Sequence, residues 1–400
     1  MRKRGPTLFF ALLSAALVLC GLWLLRGRLP ALPGPLTQPA SESRTTAPPV
    51  LRPVELARAG MTRYHYQQLG EAEQRAYRDI FERLPGFPES VEVTGLDTNG
   101  LNRVFQALLL DQPLLLQISS VHYTTRTLGD KPVAFIPEYR MGPVEYRERC
   151  VALARACASI AAGGDEFERE LALHDALVAM CDYTEEERSD KATAYGALVE
   201  RSASCEGYSK AMLLLLELQG MEACIITGNA SNEGGQSGGH AWNQVRVGGA
   251  WYHLDATWDD PVVEGAPSGI SHAYFNIPDA DIAHTHELTG ARNPCISVEA
   301  NFYVRRGLYF QRFEKAEETV LAQRLAESLA AGGNTAELRM ANDGALEDAL
   351  YELFDKNGPQ RVYRVLSNAA LVGPYPIRTD KVMHSEIGAL RVIRIFTQSD

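Results

Sequence analysis

The chain has 400 residues, 46% of them hydrophobic, enough to bury more than one core. Its formal net charge is −11 and it has no long basic cluster, which excludes nucleic acid as a main partner. It carries no phosphate-binding glycine loop, no CxxC pair and no internal repeat, so nucleotide and thioredoxin-like redox chemistry lack their usual signals.

MRKRG leads into PTLFFALLSAALVLCGLWLL, and the charge-free stretch from Gly5 to Leu25 is long enough to span a bilayer. Arg2, Lys3 and Arg4 favour leaving the amino terminus inside, although Arg26 and Arg28 on the far side weaken that bias. Residues 1–29 are therefore expected to be an uncleaved membrane anchor, with a cleaved signal and secretion as the alternative. The run ending at Cys20 only loosely resembles a lipoprotein signal, because the bulky Leu19 stands where a small residue belongs. Residues 30–55 are rich in Pro, Ser and Thr and read as an extended linker.

Residues 56–143 read as an accessory α+β module. A helix starts near Glu71 with an apolar side of Ala76, Tyr77, Ile80, Phe81 and Leu84. Residues 91–100 read as strand and turn, and 101–118 as a helix that becomes a strand after Pro113. SSVHYTTRTL and PVAFIPEYR read as further strands. Tyr64 and Tyr66 are expected to pack rather than meet substrate.

Residues 144–164 form a predicted helix stopped by Gly163-Gly164, and 165–184 a second one carrying His174 and Asp175. CEGYSKAMLLLLELQG (205–220) is a third, with Ala211, Leu214, Leu215 and Leu218 on one side and Gly220 at its end. Cys205 thus stands at a helix start, where free N–H groups and the helix dipole stabilise a thiolate and can hold an oxyanion. Residues 221–230 read as a strand, and SNEGGQSGG (231–239) as a pliable lead into His240.

HAWNQVRV (240–247) and AWYHLDATW (250–258) read as a hairpin, because Gly248-Gly249 supplies the positive φ angles of a two-residue loop. With Val247 opposite Ala250, Trp242 opposes Asp255 and His240 opposes Thr257, all on one face. His240 and Asp255 are then diagonal neighbours, roughly 7–8 Å apart in backbone. A cysteine nucleophile, a histidine base and an aspartate that fixes its tautomer together suit acyl transfer.

YGALVERSASCEGYSKAM, GGHAWNQVRV and WYHLDATWDDP resemble the transglutaminase-like superfamily, in particular its bacterial branch. ISHAYFNIPDADIAHTH (270–286) is also similar to that branch, and the likeness covers about 165–290. The resemblance implies an α+β fold with a papain-like core, its nucleophile helix packed on an antiparallel sheet, flanked by the N-terminal module and a small C-terminal α/β region. It implies Cys205 as nucleophile, His240 as base and Asp255 as orienter, with Tyr195, Glu206 and Trp242 at an oxyanion site or groove. It also places a His-Asp pair on the helix leading into the core, so His174 is read as packing or supporting the site. The catalytic domain is expected over 144–311 and the accessory region over 312–400.

No cofactor and no metal site is expected. His284 and His286 in HTHE lack a clear third ligand, and Asp259 and Asp260 lack the oxygen-rich spacing of a calcium loop. NFYVRRGLYF (301–310) is strand-like, followed by a helix at 314–331, a strand at 336–342, a helix at 345–358 and strands at 361–367 and 388–398. Of seven cysteines, Cys20 lies in the apolar segment and Cys205 is needed free. Cys150, Cys157, Cys181, Cys224 and Cys295 remain, an odd set whose pairing the sequence does not specify.

The expected activity is that of a membrane-tethered, extracytoplasmic thiol enzyme on peptide or amide bonds, a cysteine protease or amidase. A transglutaminase with the same triad and a catalytically silent binding module are the alternatives. Exported proteins, peptides and peptidoglycan stem peptides are the accessible substrates. Oligomeric state is not legible.

Overall fold

The computed structural model describes residues 63–185, 189–232, 235–260, 269–290, 292–331, 333–356 and 382–397. The predicted anchor and linker, and the predicted strand at 361–367, lie outside these. No described helix is long and apolar enough to cross a membrane. The chain divides into two compact units. One holds the described residues up to Ala161 with Thr193–Glu200, and the other holds Ala162–Ala192 and the described residues from Arg201 onward.

The first unit is α+β. Its helices are α1 (Tyr64–Gln67), α2 (Glu71–Arg83), α3 (Thr98–Asp111) and α4 (Pro143–Ser159). Strands β1 (Val91–Glu92), β2 (Ile118–Leu128) and β3 (Lys131–Tyr139) form an antiparallel sheet in the order β1-β3-β2. Asp97 starts α3 by accepting from the Gly100 amide, a side-chain cap that satisfies an orphan helix donor. Tyr77, Ile80, Leu101, Val104, Leu108 and Phe135 form one core between the helices and the sheet. The segment after Pro113 does not become a strand at once. Residues 113–117 turn, and pairing begins at Ile118.

The second unit opens with α5 (Glu166–Met180), capped by the Asp165 side chain on the Glu168 amide. A short parallel pair, β4 (Asp182–Tyr183) and β5 (Ser202–Ala203), leads into α6 (Cys205–Leu218). Most of α6 is buried, including Tyr208 and the run Ala211–Leu216. Behind it stand β6 (Ala223–Ser231), β7 (Ser237–Val247), β8 (Ala250–Leu254) and β9 (His286–Leu288), an antiparallel sheet in the order β8-β7-β6-β9. Asn243 ties β7 to the helix by donating to the Ser209 carbonyl at 3.0 Å. The core is therefore a helix-start cysteine packed on an antiparallel sheet.

The hairpin forms as the glycines require: φ is 59° at Gly248 and 86° at Gly249, and Val247 pairs with Ala250. The expected register runs on to Asn243↔Leu254. There β8 stops, four residues before the predicted end at 258. Asp255 begins a turn, because its side chain accepts from the Thr257 and Trp258 amides and bends the backbone out of the ladder.

The rest of the unit contains α7 (Asp279–Ile282), α8 (Phe302–Arg306), β10 (Tyr309–Phe310), α9 (Lys315–Ala330), β11 (Thr335–Met340), α10 (Asp343–Leu350), β12 (Val382–Ile387) and β13 (Val392–Thr397). Residues 301–310 are not one strand. Asn301 caps α8 and Gly307, at φ 68°, ends it, leaving two residues to pair as β10. The helix predicted over 345–358 spans 343–350 and continues as a π turn over 351–355. The sheet β10-β11-β13-β12 packs on α9 and α10 through Leu321, Leu325, Leu338, Met340, Leu353 and Ile393, a hydrophobic core of its own.

Candidate active site

Cys205 is the first residue of α6 and is partly exposed. Ser204 precedes it in extended conformation without capping the helix by its side chain, which leaves the first amides without that partner. All six described cysteines are free thiols; Cys205 is the one not buried. His240 stands on β7, and its side chain is almost fully enclosed. Asp255, fully buried, meets it just past the end of β8: His240 Nε2 lies 2.7 Å from Asp255 Oδ2. The Cys205 side chain is near enough to the ring to add to the rise in its pKa.

The electrostatics follow from this chain. Burial disfavours a charged His240, yet the Asp255 charge, the hydrogen bond that the ring donates to Asp255 and the nearby Cys205 outweigh it and raise the ring to about 10. Burial likewise disfavours a charged Asp255. The His240 charge and its hydrogen bonds hold the carboxyl far below the usual range. His240 and Asp255 thus form a connected imidazole–carboxylate pair, with the Cys205 side chain acting on the same ring.

The other expected site residues have distinct places. Trp242 is 1% exposed, so it does not wall an open groove. Its ring stacks on His240 with centroids 5.9 Å apart, and its Nε1 donates to His253 Nδ1 at 3.0 Å. Glu206 pairs with the buried Lys210 across one helical turn at 2.6 Å. Tyr195 lies in the first unit with the Arg149 guanidinium 4.8 Å over its ring. Asp259 and Asp260 bind the protein's own groups: Asp259 Oδ1 accepts from the Tyr274 amide, and Asp260 Oδ2 lies 2.6 Å from the Tyr208 hydroxyl.

One further residue joins this pair. His286 Nε2 lies 3.1 Å from Asp255 Oδ2, and its ring packs among Trp242, Trp258 and Tyr274. The HTHE pair was readable only as a possible metal motif. In the fold the two rings diverge, His284 exposed and His286 buried at the start of β9. The sequence signal available was strand periodicity after the loop, and three residues of strand are too few to show it.

A family model, the transglutaminase-like superfamily, matches residues 151–256, which span Cys205, His240 and Asp255. This segment belongs to that superfamily. No curated protein matches the chain. Among solved structures, similarity is partial. A candidate cysteine protease from Cytophaga hutchinsonii shares 20% identity, covering 27% of this chain and 37% of its own, at TM-score 0.24. A TGase shares 13%, covering 45% and 52%, at 0.26. The periplasmic domain of TgpA from Pseudomonas aeruginosa shares 21%, covering 36% and 67%, at 0.19. The chain thus spans about a third to a half of the first two, and scores of this size carry no argument.

Within the transglutaminase-like core, two histidine clusters outside the thiol have their hydrogen atoms already assigned. His253 accepts from Trp242 at Nδ1, so its Nε2 carries the proton and donates to Asp279 Oδ1 at 2.9 Å. Burial depresses His253 to about 4, consistent with a neutral ring. That ring has no lone pair to offer a metal, although Asp279 and Cys295 stand beside it. The Asp255 oxygen between His240 and His286 is likewise saturated by two ring donors.

Proposed function

We propose that the chain is a thiol enzyme that cleaves a peptide or amide bond through a thioester, with Cys205 as nucleophile, His240 as base and Asp255 as orienter. The observation that carries this reading is the pairing of His240 Nε2 with the buried Asp255 at 2.7 Å, beside a partly exposed cysteine at the start of α6 whose side chain acts on the same ring. His240 takes the thiol proton, and the sulfur attacks the carbonyl carbon. The oxyanion is met by backbone N–H groups at the start of α6. Collapse breaks the C–N bond, and His240 returns its proton to the leaving amine. Water then attacks the thioester, releasing the acid and restoring the thiol. A primary amine in place of water gives amine transfer by the same residues.

The apolar stretch Gly5–Leu25 supports a membrane tether, and residues 30–55 support a spacer that carries the enzyme outside the cytoplasm. Exported peptides, proteins and peptidoglycan stem peptides are the substrates in reach of that placement.

The test is incubation of the full chain and its Cys205→Ala variant with a peptide library, with and without a primary amine, read by mass. Cys205-dependent hydrolysis supports the proposal. Amine-tagged products without hydrolysis would replace it with amine transfer, and no Cys205-dependent product would leave a binding module.

A further inference from the structure

A second buried cluster shares no side chain with the Cys205, His240 and Asp255 set. His174 on α5 and His272 approach the same oxygen: His174 Nδ1 is 3.0 Å and His272 Nε2 2.9 Å from Asp175 Oδ1. Both rings are buried, whereas the Asp175 side chain is 37% exposed, so solvent reaches the cluster from that side. The far nitrogen of each ring faces another buried carboxylate. His174 Nε2 is 3.2 Å from Asp259 Oδ2, and His272 Nδ1 hydrogen-bonds Glu337 Oε1. Glu337 is fixed in turn by the Tyr303 hydroxyl at 2.7 Å.

This is the two-layer arrangement of a metal-binding histidine, in which the outer carboxylate takes the remote N–H, sets the tautomer and leaves the inner nitrogen's lone pair free. Here it is complete at His272 through Glu337, while His174 Nε2 faces Asp259 Oδ2 at 3.2 Å without an aligned hydrogen bond; both rings meet one shared, solvent-reached carboxylate. The three inner donor atoms lie within 4.8 Å of one another, and donors at about 2.1 Å from a common ion stand roughly 3.4 Å apart, so small rotations suffice. The composition points the same way: Asp175, Asp259 and Glu337 bring three carboxyl groups to two imidazoles.

We propose that His174 Nδ1, His272 Nε2 and Asp175 bind one divalent transition-metal ion of the zinc class, with solvent completing its shell. Two imidazoles and one carboxylate select zinc or its neighbours over calcium and magnesium, which take oxygen donors. The ion links α5, the segment around His272 and, through Glu337, strand β11. It therefore ties the C-terminal sheet to the core helix, and its ligands include none of Cys205, His240 and Asp255.

The test uses the full chain in a Cys205→Ser background, so that the partly exposed thiol contributes no ligand. After chelation and dialysis, Co2+ is added and visible d–d absorption is followed. Zn2+ is then titrated in competition. One Co2+ per chain, displaced by Zn2+, with a thermal midpoint that Zn2+ raises and chelator lowers, is the expected result. Asp175→Ala and His272→Gln should abolish the absorption. Glu337→Gln, which touches only the outer layer, should weaken Zn2+ binding about 10- to 100-fold. Because Asp175 is partly exposed, its alanine variant is expected to fold, and circular dichroism checks this. Absence of Co2+ binding by the parent overturns the site. So does binding that persists in folded Asp175→Ala, or that is lost instead in Cys295→Ser or His286→Gln.

Discussion

His286 and His240 share one oxygen: Asp255 Oδ2 lies 3.1 Å from the first ring and 2.7 Å from the second. Asp255 Oδ1 meanwhile accepts from the Thr257 and Trp258 amides. A fully buried carboxylate stays ionised only when its acceptor positions are filled this way. On the proposed mechanism His286 is thus a positioning residue, acting on His240 through Asp255.

Replacing His286 by Ala removes one hydrogen bond to a charged group, a loss of about 1.5–3 kcal/mol, or roughly 10- to 100-fold in rate. The loss should fall on kcat, with KM little changed, because no substrate contact is removed. His286→Gln keeps an N–H donor and should recover most of the activity. Steady-state kinetics of both variants on a cleaved peptide checks this, and a Gln variant no better than Ala would show that bulk, not the donor, matters.

The pH dependence of stability follows from His240. Its folded pKa is raised from 6.5 to about 10, so the native state holds a proton that the unfolded chain releases. The stabilisation is fully present below pH 6.5, declines as pH rises and is gone once pH passes about 10. Urea unfolding of the wild type and His240→Gln across this window should show a stability gap that narrows with pH. A gap that stays constant would mean that His240 is not charged in the folded state.

Gly228 stands in register with His240 on one side and Leu288 on the other, between β7 and β9. A Cβ there would meet the Glu287 carbonyl oxygen and come within 3.0 Å of the Trp242 ring. Gly228→Ala should therefore push β9 away, cost about 1–3 kcal/mol by overpacking and lower activity by displacing His286. Urea unfolding and activity of this variant, compared with Gly239→Ala where a Cβ meets nothing within 4 Å, separate the local clash from a general effect of losing glycine.

What the sequence determined by itself was local. The helix starting at Cys205 and the strand carrying His240 are written in short-range periodicity. The Gly248-Gly249 hairpin needs only two positive φ angles to set the pairing that brings Asp255 near. These patterns repeat within a few residues, so the chain need not be folded to be read. Even here local chemistry overrode pattern, because Asp255 captured its own neighbouring amides and ended β8 early.

Tertiary structure alone decided the rest. His286 reaches Asp255 across 31 residues, His272 reaches Asp175 across 97 and Glu337 across 65. No periodicity spans such separations, since they depend on how β9 returns to β6 and β11 returns to the core. Burial then gives these contacts their strength: away from water, a histidine or carboxylate is tolerated only beside a partner, and the fold chooses which partner that is.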